Sequence, residues 1–194
     1  MIKLAAFLGN PGREYEGTRH NAPWLLLERL APGASWQDKF KGRCAQFTPG
    51  ASASSDKVVL IMPQTYMNLS GDCVGRCAAF FKISPPEILA VHDEVELPFG
   101  TLDFRRGGGL GGHKGLRSLA ASLGTPDFYR LRIGVGRPAR GDVASHVLSR
   151  FSREEEIFLQ DYLKEAAAVL GEILASPVEK SLRNYGRLKV LDTA

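Results

Sequence analysis

Phe7-Leu8-Gly9-Asn10-Pro11-Gly12-Arg13-Glu14-Tyr15-Glu16-Gly17-Thr18-Arg19-His20-Asn21 joins an apolar run to a helix-like one. Ile2 to Leu8 is long enough for one buried strand. Trp24 to Leu30 reads as a helix, with Asn21 as its expected cap and Pro23 in its first turn. Asn10 therefore stands at a strand end and His20 at a helix start. Gly9, Pro11 and Gly12 force a tight turn between them. In open α/β sheets, ligands bind beyond the carboxyl ends of strands, which is where this turn falls.

The same alternation continues outward. Trp36 to Phe40 and Arg43 to Phe47 read as strands around Lys41-Gly42. Thr48 to Asp56 is a polar, small-residue tract expected to be a mobile hairpin tip. Val58 to Ile61 and Ile88 to Asp93 are continuous apolar strands of the buried kind. Helices are expected from Ser70 or Asn68 to about Lys82, from His113 to Leu123, and from Val178 to about Tyr185. Ser152 with Glu155 makes a capping box for a long helix to about Leu174. Thr101 to Arg106 alternates like an exposed strand. Phe128 to Val135 sets Leu131, Ile133 and Val135 against Arg130 and Arg132. The chain thus reads as α/β, one domain over residues 1–194, with a twisted mixed, mainly parallel sheet and helices on both faces.

The 194 residues are 44% hydrophobic and 24% charged, as in soluble globular proteins. No apolar run approaches the roughly 20 residues needed to span a bilayer. Met1-Ile2-Lys3-Leu4 lacks the layout of a signal peptide, so a cytoplasmic protein is expected. Cys44, Cys73 and Cys77 read as buried apolar thiols, because the spacing of metal ligands is missing. The net charge of +4 suits a polyanionic partner without requiring one.

Four polar residues fall at strand ends or adjoining turns: Asn10, His20, Asn68 and Asp93. Singly, each has a plainer reading as a turn, helix-start, capping or loop-bracing residue. Together they supply an imidazole able to act as base near neutral pH, a carboxylate to orient it, and two amides for a carbonyl or oxyanion. Gly-x-Ser-x-Gly is absent, which favours water as nucleophile. Gly107-Gly-Gly-Leu-Gly-Gly112 is no Walker loop, and it follows a late, Arg-bearing strand, unlike a dinucleotide fingerprint. It reads as a flexible gate or a backbone surface open to phosphate. Arg105, Arg106, His113, Lys114 and Arg117 bracket it as a basic patch, either solvated or in contact with phosphate.

With these residues in place, the sequence resembles the bacterial peptidyl-tRNA hydrolases, from Ile2 to about Tyr185. The matching blocks are Leu8-Gly-Asn-Pro-Gly-x-x-Tyr15-x-x-Thr18-Arg-His-Asn21, Pro63-x-Thr65-x-Met67-Asn68-x-Ser70-Gly71 and His92-Asp93-Glu94 with Leu97-Pro98 and Gly100. Two more are Gly107-Gly-Gly-x-Gly-Gly-His113-x-Gly115-Leu116 and Arg132-Ile-Gly-x-Gly-Arg-Pro138. The resemblance implies a cytoplasmic, monomeric esterase without metal or cofactor. It would cut the ester between a stalled peptide and the terminal ribose of tRNA, with no membrane partner.

By the same resemblance, His20 activates water, Asp93 orients it, and Asn10 and Asn68 hold the peptide and the RNA 3′ end. Tyr15, Tyr66, Met67, Gly111, His113 and Lys114 would contact substrate. Read from charge and not from the resemblance, Arg105, Lys114 and Arg132 are the expected tRNA phosphate contacts, with the C-terminal Lys180, Arg183 and Arg187 as further candidates. Four positions depart from the family pattern: Lys114 replaces a usual Asn, Leu110 a common His, Asp103 a common basic residue, and Pro23 a common Gly, the last benign in a first helical turn. The role of that Asn does not carry over, and Lys114 reads as a replacement contact to phosphate. The alternative is a noncatalytic RNA-binding relative of the same fold, which would have no need of His20 with Asp93.

Overall fold

Strand β1 (Leu4–Phe7) is flanked on both sides by parallel partners, β4 (Val58–Pro63) and β5 (Ile88–Glu94). The computed structural model describes residues 1–50, 57–138 and 140–191. The remaining strands are β2 (Gln37–Lys39), β3 (Gly42–Phe47), β6 (Thr101–Arg106), β7 (Tyr129–Gly134) and β8 (Arg187–Lys189). They form one eight-stranded sheet in the order β2-β3-β4-β1-β5-β7-β6-β8. The four neighbours β4-β1-β5-β7 are parallel, and the outer pairings are antiparallel. Only β3 and β6 run against the rest, so the sheet is mixed and mainly parallel in direction.

Central strands bury both faces, and the period-2 alternation of side chains divides the interior into two cores. Ala5, Phe7, Leu60, Leu89, Val91 and Leu131 point toward α1 (Ala22–Leu30) and α5 (Arg153–Ala175), meeting Leu26, Tyr162 and Leu170. Leu4, Ala6, Leu8, Val59, Ile61 and Ala90 point the other way. They meet Val74 and Cys77 of α2 (Ser70–Phe81) and Leu116 and Leu119 of α3 (Lys114–Leu123). Helices therefore cover both faces, as expected. Among the described residues no helix is long and apolar enough to cross a membrane.

Cys44, Cys73 and Cys77 are free and buried. Burial pushes the Cys73 thiol up to about 12, so it behaves as a small apolar group. The Ser152–Glu155 capping box forms as read from sequence: Glu155 N donates to Ser152 Oγ at 3.2 Å and Ser152 N to Glu155 Oε2 at 2.6 Å.

Several expectations change. Asn21 occupies the cap position of α1 but makes no capping hydrogen bond, because its amide is used elsewhere. Neither Asn68 nor Ser70 caps α2: Ser70 is its first residue, and Ser70 Oγ donates to Met67 O at 2.9 Å. β6, expected to be an exposed strand, is covered along Thr101–Asp103 by β8 and buries Leu102 and Phe104, while Arg105 and Arg106 stay exposed. Among the strands and α-helices, β8 and the short α4 (Val143–Val147) were not anticipated; α6 (Val178–Asn184) lies close to its expected place. Most of the polar tract expected to be mobile, residues 51–56, lies outside the described residues.

Candidate active site

Asn10 leaves the end of β1 under tight restraint. Asn10 N donates to Asn21 Oδ1 at 2.8 Å, and Asn21 Nδ2 donates back to Asn10 O at 2.9 Å. Asn10 Oδ1 in turn accepts Met67 N–H at 2.7 Å. That acceptor role fixes the orientation of the amide and leaves its two Nδ2 hydrogens as the group that can meet a ligand. Gly9 has to lack a side chain here, because a Cβ would lie 2.5 Å from the Trp24 ring. Trp24 Nε1 seals the corner by donating to Phe7 O at 3.0 Å.

His20 sits in the short 3-10 turn Arg19–Asn21. Its neighbour Arg19 is buried and donates to Ser149 Oγ at 2.8 Å, to Arg150 O and to Glu155 Oε2. The turn is thereby tied to the start of α5. His20 Nδ1 is 2.8 Å from Asp93 Oδ1. Asp93, near the end of β5, is only 3% exposed.

A second imidazole meets the same oxygen. His113 Nε2 is 3.1 Å from Asp93 Oδ1. His113 also caps α3: its Nδ1 accepts Gly115 N–H at 3.1 Å and Leu116 N–H at 3.3 Å. An Nδ1 that accepts cannot carry the proton, so the proton is on Nε2, which donates to Asp93. Burial acts to raise the Asp93 carboxyl, but the two imidazoles beside it outweigh burial and hold it well below the usual carboxylate range. An ionised Asp93 accepts from His20 as well. His20 then carries its proton on Nδ1 and keeps a free lone pair on Nε2.

The ligating atoms of His20, Asp93 and His113 lie within 4.8 Å of one another, which is close enough to consider a metal. The donor set argues against one. To ligate through Nε2, His113 would have to place its proton on Nδ1, against two backbone N–H groups. The cluster is arranged to hold protons.

These groups open into a cleft of about 550 Å³. Asn10, Tyr15, His20, Tyr66, Met67, Asn68, Asp93, Gly111, His113 and Lys114, all named from sequence, line it together. Asn68 and Tyr66 are exposed, whereas Met67 is buried beneath them. The close approach of α3 depends on Gly115, where a Cβ would lie 2.5 Å from Met67 Sδ. Leu110 packs against the second core while lining the cleft, the position where the family pattern has His.

Arg105 and Arg132 do not line the cleft. Arg132 Nε donates to Glu94 Oε2 at 2.9 Å, and its Nη1 donates to Asp103 Oδ2. Arg132, expected to meet phosphate, is thus held on two sides by carboxylates of the chain itself. The glycine run is also less free than expected. Arg130, buried on β7, donates to Gly109 O at 2.9 Å and to Gly107 O. Gly107 N adds a bond to Phe128 O at 2.9 Å.

Sequence reasoning missed the brace made by Asn21, the bond from His113 to Asp93, and the wall formed by Val143, Ala144, Val147 and Leu148 of and beside α4. A signal for α4 was present in Asp142-Val-Ala-Ser145, since Asp142 Oδ1 accepts Ser145 N–H at 2.9 Å as a helix cap.

Known proteins give an independent comparison. Residues 4–192 match the family described as Peptidyl-tRNA hydrolase. A protein of that name from Treponema pallidum is 53% identical over 154 residues, covering 77% of this chain and 76% of its own length. One from Geotalea uraniireducens is 39% identical over 193 residues, covering 98% and 99%. The crystal structure of peptidyl-tRNA hydrolase from Acinetobacter baumannii superposes with a TM-score of 0.83 at 34% identity, covering 94% of this chain and 93% of that one.

Proposed function

The chain belongs to the peptidyl-tRNA hydrolase family, and from that premise we propose how its residues carry out the hydrolysis of peptidyl-tRNA. His20 Nε2 takes a proton from a water molecule in the cleft. The water oxygen attacks the ester carbonyl, and a bond forms from that oxygen to the carbonyl carbon. The C–O bond to the 3′-terminal ribose then breaks, and the proton held by His20 passes to the departing ribosyl oxygen. Free peptide acid and tRNA leave. Asp93 fixes the His20 tautomer and stabilises the imidazolium while it lasts.

Asn10 and Asn68 hold the carbonyl and its developing oxyanion, Asn10 through the Nδ2 hydrogens left over by its other bonds. Among the described residues no Ser, Thr or Cys lines the cleft, which supports water as the nucleophile. The noncatalytic alternative is set aside with the family assignment. The observation that carries the mechanism is the 2.8 Å contact between His20 Nδ1 and a buried, ionised Asp93 at the edge of an open cleft.

Lys114 and Arg105 meet RNA phosphate in this reading. Lys114 is exposed in the first turn of α3, where a cation opposes the helix dipole. An approaching phosphate relieves that repulsion. We further read the protein as a cytoplasmic monomer, because its substrate arises in translation and one chain supplies the whole cleft. The deciding experiment is release of label from N-acetyl-aminoacyl-tRNA. His20→Ala should abolish release while leaving the fold intact, and wild-type rates in that variant would end the assignment.

A further inference from the structure

The second core stops at β5. Beyond it, none of its residues comes from β6, β7 or β8. Register places His92 beside Arg132, Arg132 beside Asp103, and Asp103 beside Arg187. Side chains in register share a face, so this side of the sheet carries a row of charge. Arg105, two residues from Asp103 on β6, shares it. Arg132, Arg105 and Arg187 oppose Asp103 and, from the end of β5, Glu94.

Within that row two guanidinium groups converge on one oxygen. Arg132 Nη1 donates to Asp103 Oδ2, and Arg105 Nη1 lies 3.9 Å from the same atom. Arginines hold a phosphate oxygen in just this manner, from two directions. Here a carboxylate of the chain itself occupies the position. The Arg105 side chain is 47% exposed and Asp103 13%, so the anion position lies at the surface with a shielded floor.

We propose that Asp103 is an internal stand-in for a tRNA backbone phosphate, occupying the anion position between Arg105 and Arg132 and so setting the affinity of the enzyme for tRNA. The proposal rests on the reading that this face meets RNA. Binding requires a phosphate either to displace Asp103 from the two arginines or to share them with a fixed negative charge. Each lowers affinity without touching the ester, so the effect belongs in KM and in tRNA binding. The chemical step is unaffected.

The test is Asp103→Asn, which keeps an acceptor for Arg132 and removes the charge. Arg132 retains Glu94 in this variant, and Asp103→Ser serves as a second if it fails to fold. Deacylated tRNA should bind about three- to tenfold tighter at low salt, with a dependence of log K on log salt steeper by about one. KM for peptidyl-tRNA should fall with kcat unchanged. A minimal N-acetyl-aminoacyl-adenosine, which lacks the acceptor stem, should show no gain. Unchanged or weaker tRNA binding overturns the proposal, as does an equal gain with the minimal substrate. Arg105→Gln separates the two levels of the argument. If it weakens tRNA binding while Asp103→Asn changes nothing, only the stand-in fails. If it leaves binding and salt slope untouched, the RNA-facing reading fails as well.

Discussion

His113 donates Nε2–H to Asp93 over 3.1 Å because its other ring nitrogen is already taken by the first turn of α3. The helix thus chooses the tautomer, the tautomer chooses the direction of the bond, and Asp93 receives a donor that cannot turn away. His113→Ala removes that donor and the α3 cap together. We expect kcat to fall about ten- to hundredfold, since a small misplacement of Asp93 and His20 is costly, with a loss of stability of about 1 kcal/mol from the cap. His113→Asn, which can still cap α3, should recover the stability and little of the rate. Steady-state kinetics beside a denaturant titration separates the two losses; full activity in both variants would remove His113 from the site.

Asn21 is expected to matter as much as the residues that face the cleft. Its amide makes both bonds that hold the Asn10 backbone, and it is 2% exposed. Asn21→Ala leaves a buried N–H and a buried C=O without partners, which costs about 1–3 kcal/mol for each such group. The Asn10 amide then loses its aim, and kcat should fall further than KM rises. Asn21→Asp keeps the acceptor for Asn10 N but sets a carboxylate against Asn10 O, so it should rescue neither property. Kinetics of the two variants at a temperature where both are folded is the check.

These two residues also mark the limit of what could be read before folding. The layered sheet was legible because neighbours such as Leu4 and Ala5, or Leu89 and Ala90, are apolar on alternate faces and had to be buried on both. Asn10 and Asp93 were legible because each ends an apolar strand. Asn21 was read as a helix cap, since nothing local tells a capping amide from one turned back onto a turn eleven residues away. The bond from His113 to Asp93 depends on a tautomer set by the packing of α3. That Arg132 pairs with Glu94 and Asp103 was not legible, because both reach it only across the sheet. The three residues of β8 and the five of α4 are too short for periodicity to register.

His92 should give folding a pH dependence of its own. It is buried, its Nδ1–H donates to Asp93 O at 2.7 Å, and its Nε2 has no partner. Burial first, and then the neighbouring His113, hold its pKa well below the ordinary value of 6.5. The unfolded chain therefore binds a proton that the folded chain refuses. The stabilisation is complete above about pH 6.5 and is lost as pH falls from there toward the folded value, by up to about 1.4 kcal/mol per pH unit. Asp93, also depressed, acts in a lower window: its contribution is present above about 3.9 and is lost only below that. His92→Gln should flatten the upper window by one proton and leave the lower one in place. Denaturant titrations from pH 8 to pH 5 measure the slope; the same slope in both proteins would assign it to another group.

Arg130 anchors the root of the glycine run through the carbonyls of Gly107 and Gly109, and that run delivers Leu110, Gly111, Gly112 and His113 to the cleft. A Cβ on Gly108 would lie 2.7 Å from Arg130 Nη2, so the backbone and the guanidinium are fitted to each other. Arg130→Gln cannot reach both carbonyls. The carbonyls of half-buried Gly107 and exposed Gly109 lose a charge-assisted bond, and the root of the run is then held only through Gly107 N–H to Phe128 O. KM should rise about tenfold, with a smaller fall in kcat carried by His113, and amides from Gly107 to His113 should exchange faster with solvent. Arg130→Lys restores the charge but not the fork, so it should recover stability before it recovers KM. If exchange across the run stays at the wild-type rate while KM rises, Arg130 acts on substrate by another route. If neither changes, Leu110 and the bond from Gly107 N to Phe128 O suffice to hold the run.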